Sequence, residues 1–243
     1  MLCVMLRILP LILAAALSAV SLSAKQPNVL VILVDDMGYG DVGAYNADSK
    51  IPTPHLHQQA HPDMMFTDAH GAGSLCHASR YGLITGDLTT WVGTSVWSGD
   101  PVIAPNCLTI ASMLKAEGYR TAMVGKWHLG FKEEGYDKPL RGGPIDVGFE
   151  TYFGIRASTD IPPYFYIDGD RAVVPPTGRI ETSEGDGVWT RIQGEFWREG
   201  GLAPNLQLVD VLPRFTDEAV GMIRDHARLG SQKPLFLCLS CAA

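Results

Sequence analysis

The chain reads as an α/β protein with a mainly parallel central sheet and helices on both faces. Three observations carry this. Asn28–Val34 is a continuous apolar, β-branched run, the pattern of a parallel strand buried on both faces. Apolar strand-like runs recur between segments of helical spacing, which is the alternation that builds parallel sheets. The 243 residues are 46% hydrophobic, enough for a sizeable core in one large α/β domain or two small ones.

The elements follow in order. Pro52 and Pro54 mark a loop, and Thr53 or Pro54 opens a short helix through Ala60 that Pro62 breaks. Met64–Ala69 has the composition of a second strand. Cys76–Ile84 suits a helix. Thr109–Glu117 has helical spacing at Ile110, Met113 and Leu114 and stops at Gly118. Tyr119–Val124 reads as a third strand and runs into Gly125-Lys-Trp-His-Leu-Gly130. Phe131–Gly201 is rich in Gly, Pro and aromatics and reads as long loops and short strands over the sheet. Pro213–Arg228 is amphipathic, with Phe215, Ala219, Met222 and Ile223 on one face. Pro234–Ser240 is a final apolar strand. No repeat or low-complexity tract interrupts this order.

Residues 1–24 stand apart. Arg7 precedes an apolar run from Ile8 to Leu22, ending in the small residues Ser21-Leu-Ser-Ala24. That is the pattern of a secretory signal peptide, and the run is short for a spanning anchor. The expectation is a secreted or periplasmic protein with no membrane segment after cleavage. A net charge of −7, without clustered Lys and Arg, argues against nucleic-acid binding. Beyond Cys3, the scattered cysteines Cys76, Cys107, Cys238 and Cys241 do not form a disulfide scaffold. Cys238-x-x-Cys241 reads as strand packing rather than redox chemistry.

Gly38, Gly40 and Gly43 follow the first strand at G-x-G-x-x-G spacing. A dinucleotide site needs a helix directly after such glycines. Here Asn46, Asp48, Pro52 and Pro54 preclude a long one, and Asp35-Asp36 would repel a pyrophosphate. The carboxylates themselves lie where ligands bind in α/β sheets, at a strand's carboxyl end. Two adjacent aspartates repel unless a cation neutralises them, and a hard ion, Ca2+ or Mg2+, suits them. A solvated turn explains the pair equally well. Cys76 opens a segment of helical pattern, whose dipole would lower a thiol's pKa or favour a nearby anion. Arg80 lies one turn further along the same face. A buried helix cysteine beside a surface arginine is the alternative.

Cys76-His-Ala-Ser-Arg80 followed by Thr85-Gly86 resembles the sulfatase signature C-x-P/A-S-R-x-x-x-x-T-G, with Ala78 at the position where proline is usual. Three further segments are similar to that family in order and spacing. Asn28–Asp41 resembles its N-terminal metal strand, Gly125–Gly130 its lysine and histidine motif, and Gly148–Ser158 the segment bearing a sulfate-contacting serine. The resemblance spans about residues 26–243 and implies an alkaline-phosphatase/sulfatase-like fold and a sulfuric ester hydrolase. It implies that Asp35 and Asp36 are calcium ligands, with Ca2+ preferred to Mg2+. Cys76, converted to formylglycine by a maturation enzyme, would be nucleophile and metal ligand. Arg80 and Lys126 would stabilise the modified residue and sulfate charge, His128 would hydrogen-bond the aldehyde hydrate, and Ser158 would contact sulfate. One hydroxyl of the hydrate would attack sulfur, and the second, deprotonated with help from His128, would release sulfate. The implied substrate is a sulfated small molecule or sulfated polysaccharide.

Family members continue past this point with a histidine, an Asp-Asn pair and a lysine that are not located here. The expectation is therefore the N-terminal portion of a catalytic domain, weakly active or inactive by itself. The alternatives are a related formylglycine-dependent phosphonate or phosphate ester hydrolase, or a catalytically dead fragment.

Overall fold

The computed structural model describes residues 25–60, 64–88, 99–185 and 194–242. The proposed signal peptide and Pro62 lie outside them. Strands β1 (Val29–Leu33), β2 (Arg120–Lys126), β3 (Thr151–Ile155), β4 (Tyr166–Asp168), β5 (Arg171–Ala172) and β8 (Leu235–Ser240) form one six-stranded sheet in the order β1-β8-β2-β3-β4-β5. The four strands β1, β8, β2 and β3 run parallel, and β4 and β5 extend the sheet antiparallel. β6 (Gly178–Ile180) and β7 (Gly200–Leu202) pair as a separate hairpin. The expected α/β architecture with a mainly parallel sheet is present.

The helices are α1 (Pro54–Ala60), α2 (Cys76–Thr85), α3 (Ile110–Ala116) and α4 (Val211–Arg228). Thr109 caps α3, accepting from Ser112 N, while the Ser112 hydroxyl accepts from Thr109 N. Gly86 ends α2 at φ 72°, donating to Gly82 O. α4 begins two residues before the expected Pro213, because a proline in the first turn sacrifices no intrahelical bond. Its Phe215 is fully buried and meets Phe153 edge-on at 6.5 Å. Ile223, expected on the same inner face, is 40% exposed.

The register aligns the strands' carboxyl ends. Leu33 pairs with Ser240, Ser240 with Gly125, and Lys126 with Ile155. Close approach there demands glycine. A Cβ on Gly125, at φ 117°, would lie 1.8 Å from Ser240 O, and one on Gly154 would lie 1.9 Å from Gly125 O.

Three expectations are corrected. β1 is not buried on both faces: Leu30 and Ile32 are about half exposed, because β1 is the sheet edge and α3 and α4 pack against β2, β3 and β8. Met64–Ala69 is irregular rather than a strand, with Met64 and Phe66 exposed. The described residues offer it no ladder partner, and β propensity without a neighbour does not make a strand. Within Phe131–Gly201, β3 is no covering loop. It is an integral parallel strand, whose short apolar TYFGI run is masked by the loops around it.

Candidate active site

The rim formed by the aligned strand ends collects most of the residues singled out by sequence. Two positions there hold left-handed backbone that β-strands avoid: Asp36 at φ 54° and His128 at φ 58°. Asp36 turns immediately after β1, so both carboxylates face the same point. None of Gly38, Gly40 and Gly43 has positive φ, and the left-handed turn after β1 is made by Asp36 itself. A three-residue 3-10 turn, Tyr39–Asp41, follows in place of a phosphate-binding helix.

Ligand atoms of Asp35, Asp36 and Cys76 lie within 4.8 Å of one another. Cys76 Sγ is 4.0 Å from Asp36 Oδ1. Two buried cations close the other side of Asp35. Lys126 Nζ donates to Oδ2 at 2.5 Å, and Arg80 Nη2 donates to Oδ1 at 3.2 Å. Burial pushes the Asp35 carboxyl up, but Lys126 and then Arg80 outweigh it and hold the acid below the usual carboxylate range.

Arg80 is no surface arginine. It is buried, and its guanidinium also donates to the Lys126 carbonyl at 3.0 Å, to the Cys241 carbonyl at 3.3 Å and to the Ser240 hydroxyl. Ser240 in turn donates to Lys126 O at 2.8 Å. Sequence reasoning overlooked Ser240, although a polar residue closing the apolar run of β8 was a usable signal.

Burial raises the Cys76 thiol, with Asp35 and Asp36 adding to the rise against the opposing Lys126. The expected thiol-lowering effect of the helix terminus is therefore overridden, because desolvation and two carboxylates disfavour a thiolate.

His128 is half-buried, and neither ring nitrogen has a hydrogen-bond partner among the described residues. Burial, then Lys126 and Arg80, push it down to about 3, so it is neutral at physiological pH. His77, which sequence reasoning did not single out, lies with its ring centroid 6.2 Å away and its Nδ1 also buried and unpartnered. Ser158 is buried three residues beyond β3. The β2–β3 ladder continues past both strands, with His128 N donating to Arg156 O at 3.0 Å, which brings the Ser158 segment alongside the rim. No hydrogen bond joins Ser158 to the charged cluster among the described residues.

The donor set can be tested against a hard cation. Two carboxylates at one point fit it, whereas a thiol does not, because Ca2+ and Mg2+ select oxygen. Oxygen in place of sulfur at residue 76 would complete a three-residue hard set.

Paired aspartates, a helix-start cysteine and buried Arg and Lys thus share one rim of a mainly parallel α/β sheet. Residues 27–192 match the family described as Sulfatase, and the chain belongs to that family. It is 35% identical to mouse arylsulfatase G over 240 residues, covering 90% of this chain and 41% of that protein. It is 37% identical to human arylsulfatase A over 185 residues, covering 68% of this chain and 34% of the relative. It is 33% identical to an N-acetylgalactosamine-6-O-sulfatase of Bacteroides thetaiotaomicron over 158 residues, covering 62% and 30%. A solved structure from work on metabolism of multiple glycosaminoglycans by that bacterium superposes with TM-score 0.72 at 26% identity, covering 89% of this chain and 51% of that one. The chain thus spans about two fifths of the length of the arylsulfatase G it matches.

Proposed function

We propose that the whole protein is a sulfuric ester hydrolase acting on sulfate monoesters of a sugar or small molecule. The observation that carries this is the Asp35–Asp36–Cys76 cluster set against buried Arg80 and Lys126 at the sheet rim. In this reading Cys76 is the site of conversion to formylglycine, and Asp35, Asp36 and the modified residue hold Ca2+. Bound calcium would neutralise charge and polarise the oxygens beside it. The hard donor set supports the modification, since an oxygen at residue 76 suits Ca2+ where a thiol does not.

The chain's own groups have separable tasks. Lys126 and Arg80 present fixed positive charge that needs no reorganisation when negative charge gathers on the transferring sulfuryl group. Both are buried, so water screens them little. His128, with both ring nitrogens unpartnered among the described residues, has hydrogen-bonding capacity to offer a hydroxyl on residue 76. Ser158 offers a hydroxyl to a sulfate oxygen. The sugar-sulfate relatives support a sulfated carbohydrate as substrate, and the leader composition supports an exported protein.

Mass spectrometry of the Cys76 peptide, from protein made with a maturation enzyme, tests the reading. Conversion to an aldehyde is expected, together with turnover of an aryl sulfate in preference to an aryl phosphate. An unmodified thiol removes the nucleophile, and preferred phosphate ester hydrolysis makes the protein a phosphatase of the same site type.

A further inference from the structure

The segment carrying Ser158 has no secondary structure of its own, yet a sulfate contact requires its hydroxyl to be held in place. Two ion pairs bracket it. On the β3 side, Arg156 Nε pairs with Glu133 in the loop after β2. On the far side, Arg198 Nη1 donates both to the Asp160 carboxylate at 2.5 Å and to the Asp160 backbone carbonyl at 3.0 Å. The second contact fixes backbone, not merely a side chain.

Arg198 is itself anchored. Its N–H donates to Tyr164 Oη at 3.2 Å, and Tyr164 Oη donates back to Arg198 O at 2.8 Å. Its guanidinium lies 5.1 Å from the centroid of the Phe196 ring. Tyr164 N donates to Gly201 O, and Ala203 N to Tyr164 O, both at 2.8 Å. β7 and the residue after it are thereby tied to the backbone of Tyr164. Inside, Ser158, Thr159, Tyr164, Leu206 and Val211 pack so that only about 10 Å3 of cavity remains. The segment is close-packed on its inner side and clamped at both ends.

We propose that Arg198 is a positioning residue for substrate binding, acting through Asp160 to hold the turn that presents Ser158. The proposal rests on the sulfatase reading of Ser158. The Arg198 and Asp160 side chains are 40% and 29% exposed, and ion pairs at such exposure add little to global stability. Their value is local: they set where one hydroxyl sits. Loss of the clamp is therefore expected to weaken substrate binding rather than unfold the chain.

The test compares wild type with Arg198→Ala and Arg198→Lys in the whole protein of which this chain is the N-terminal portion, made with a maturation enzyme. Hydrolysis of an aryl sulfate gives KM and kcat separately, and mass spectrometry follows amide hydrogen exchange across residues 156–161. Arg198→Ala is expected to raise KM about tenfold with kcat within about threefold, and to speed exchange in that segment alone. Arg198→Lys should recover most of both, since an ammonium can still reach the Asp160 carboxylate. Wild-type KM and exchange in Arg198→Ala would overturn the clamp while leaving the sulfatase reading intact. Faster exchange throughout the sheet would also overturn it, by making Arg198 a general structural residue. If the wild type hydrolyses no sulfate ester but Arg198→Ala still loosens residues 156–161 alone, the sulfatase reading fails and the clamp itself stands.

Discussion

The rim at the ends of β1, β2 and β8 and the hairpin of β6 and β7 use the same chemistry in opposite surroundings. At the rim, Lys126 and Asp35 pair with side chains 2% and 6% exposed. At the hairpin, Arg179 and Glu199 pair at 2.7 Å with side chains 62% and 56% exposed. Distance hardly distinguishes them, whereas solvent does. A buried charge that loses its partner cannot turn to water, and an exposed one can. Ion pairs at the rim therefore hold charge that a reaction can use, and those at the hairpin chiefly decorate the surface.

The comparison is broken most directly by Lys126→Ala. It removes the nearer of the two buried cations paired with Asp35 and should cost about 3–5 kcal/mol in urea unfolding. Adding Asp35→Asn should return part of that loss, because the buried charge goes with it. A loss below about 1 kcal/mol would place the rim pair in the same class as the hairpin pair.

An effect of similar size, spread over several pH units, comes from acid. His128 is held at about 3 in the folded chain against an ordinary 6.5. Below 6.5 the unfolded chain takes up a proton that the folded chain refuses, so unfolding is favoured as pH falls. Stability should be whole above pH 6.5 and decline towards pH 3, by at most about 1.4 kcal/mol per pH unit from this group. Asp35, held below the usual carboxylate range, adds to acid loss only at lower pH. His128→Asn should flatten the upper part of that decline in urea titrations run at several pH values. An unchanged slope would mean that His128 protonates freely in the folded chain.

The smallest effect is expected from Arg179→Ala, at under about 1 kcal/mol and falling further with added salt. A salt-independent loss larger than that would show that the hairpin pair carries structural weight.

Much of this molecule was legible in its residue order. The helices near Cys76, Thr109 and Pro213 and the strands near Asn28, Tyr119 and Pro234 follow from apolar spacing and punctuation, and all six are present within a few residues. The types of group at the rim were also legible, because Asp35-Asp36 and His128 follow strands, Lys126 closes one, and Cys76 and Arg80 lie one turn apart on a helix. Met64–Ala69 and the two-sided burial of β1 were misread for one reason. Local pattern reports what a segment could pair with, and says nothing of whether a neighbour stands beside it.

The electrostatics belong to the tertiary level. Residues 35, 80, 126 and 240 meet only because parallel strands bring their carboxyl ends into register. That meeting buries Arg80, depresses Asp35 and raises Cys76 against the pull of its helix terminus. Each shift depends on desolvation and on charges distant in sequence, which spacing along one chain cannot encode. Residue order thus determined which chemical groups the rim could hold. Packing decided which of them are charged, neutral or clamped, because solvent exclusion is a property of the assembled sheet.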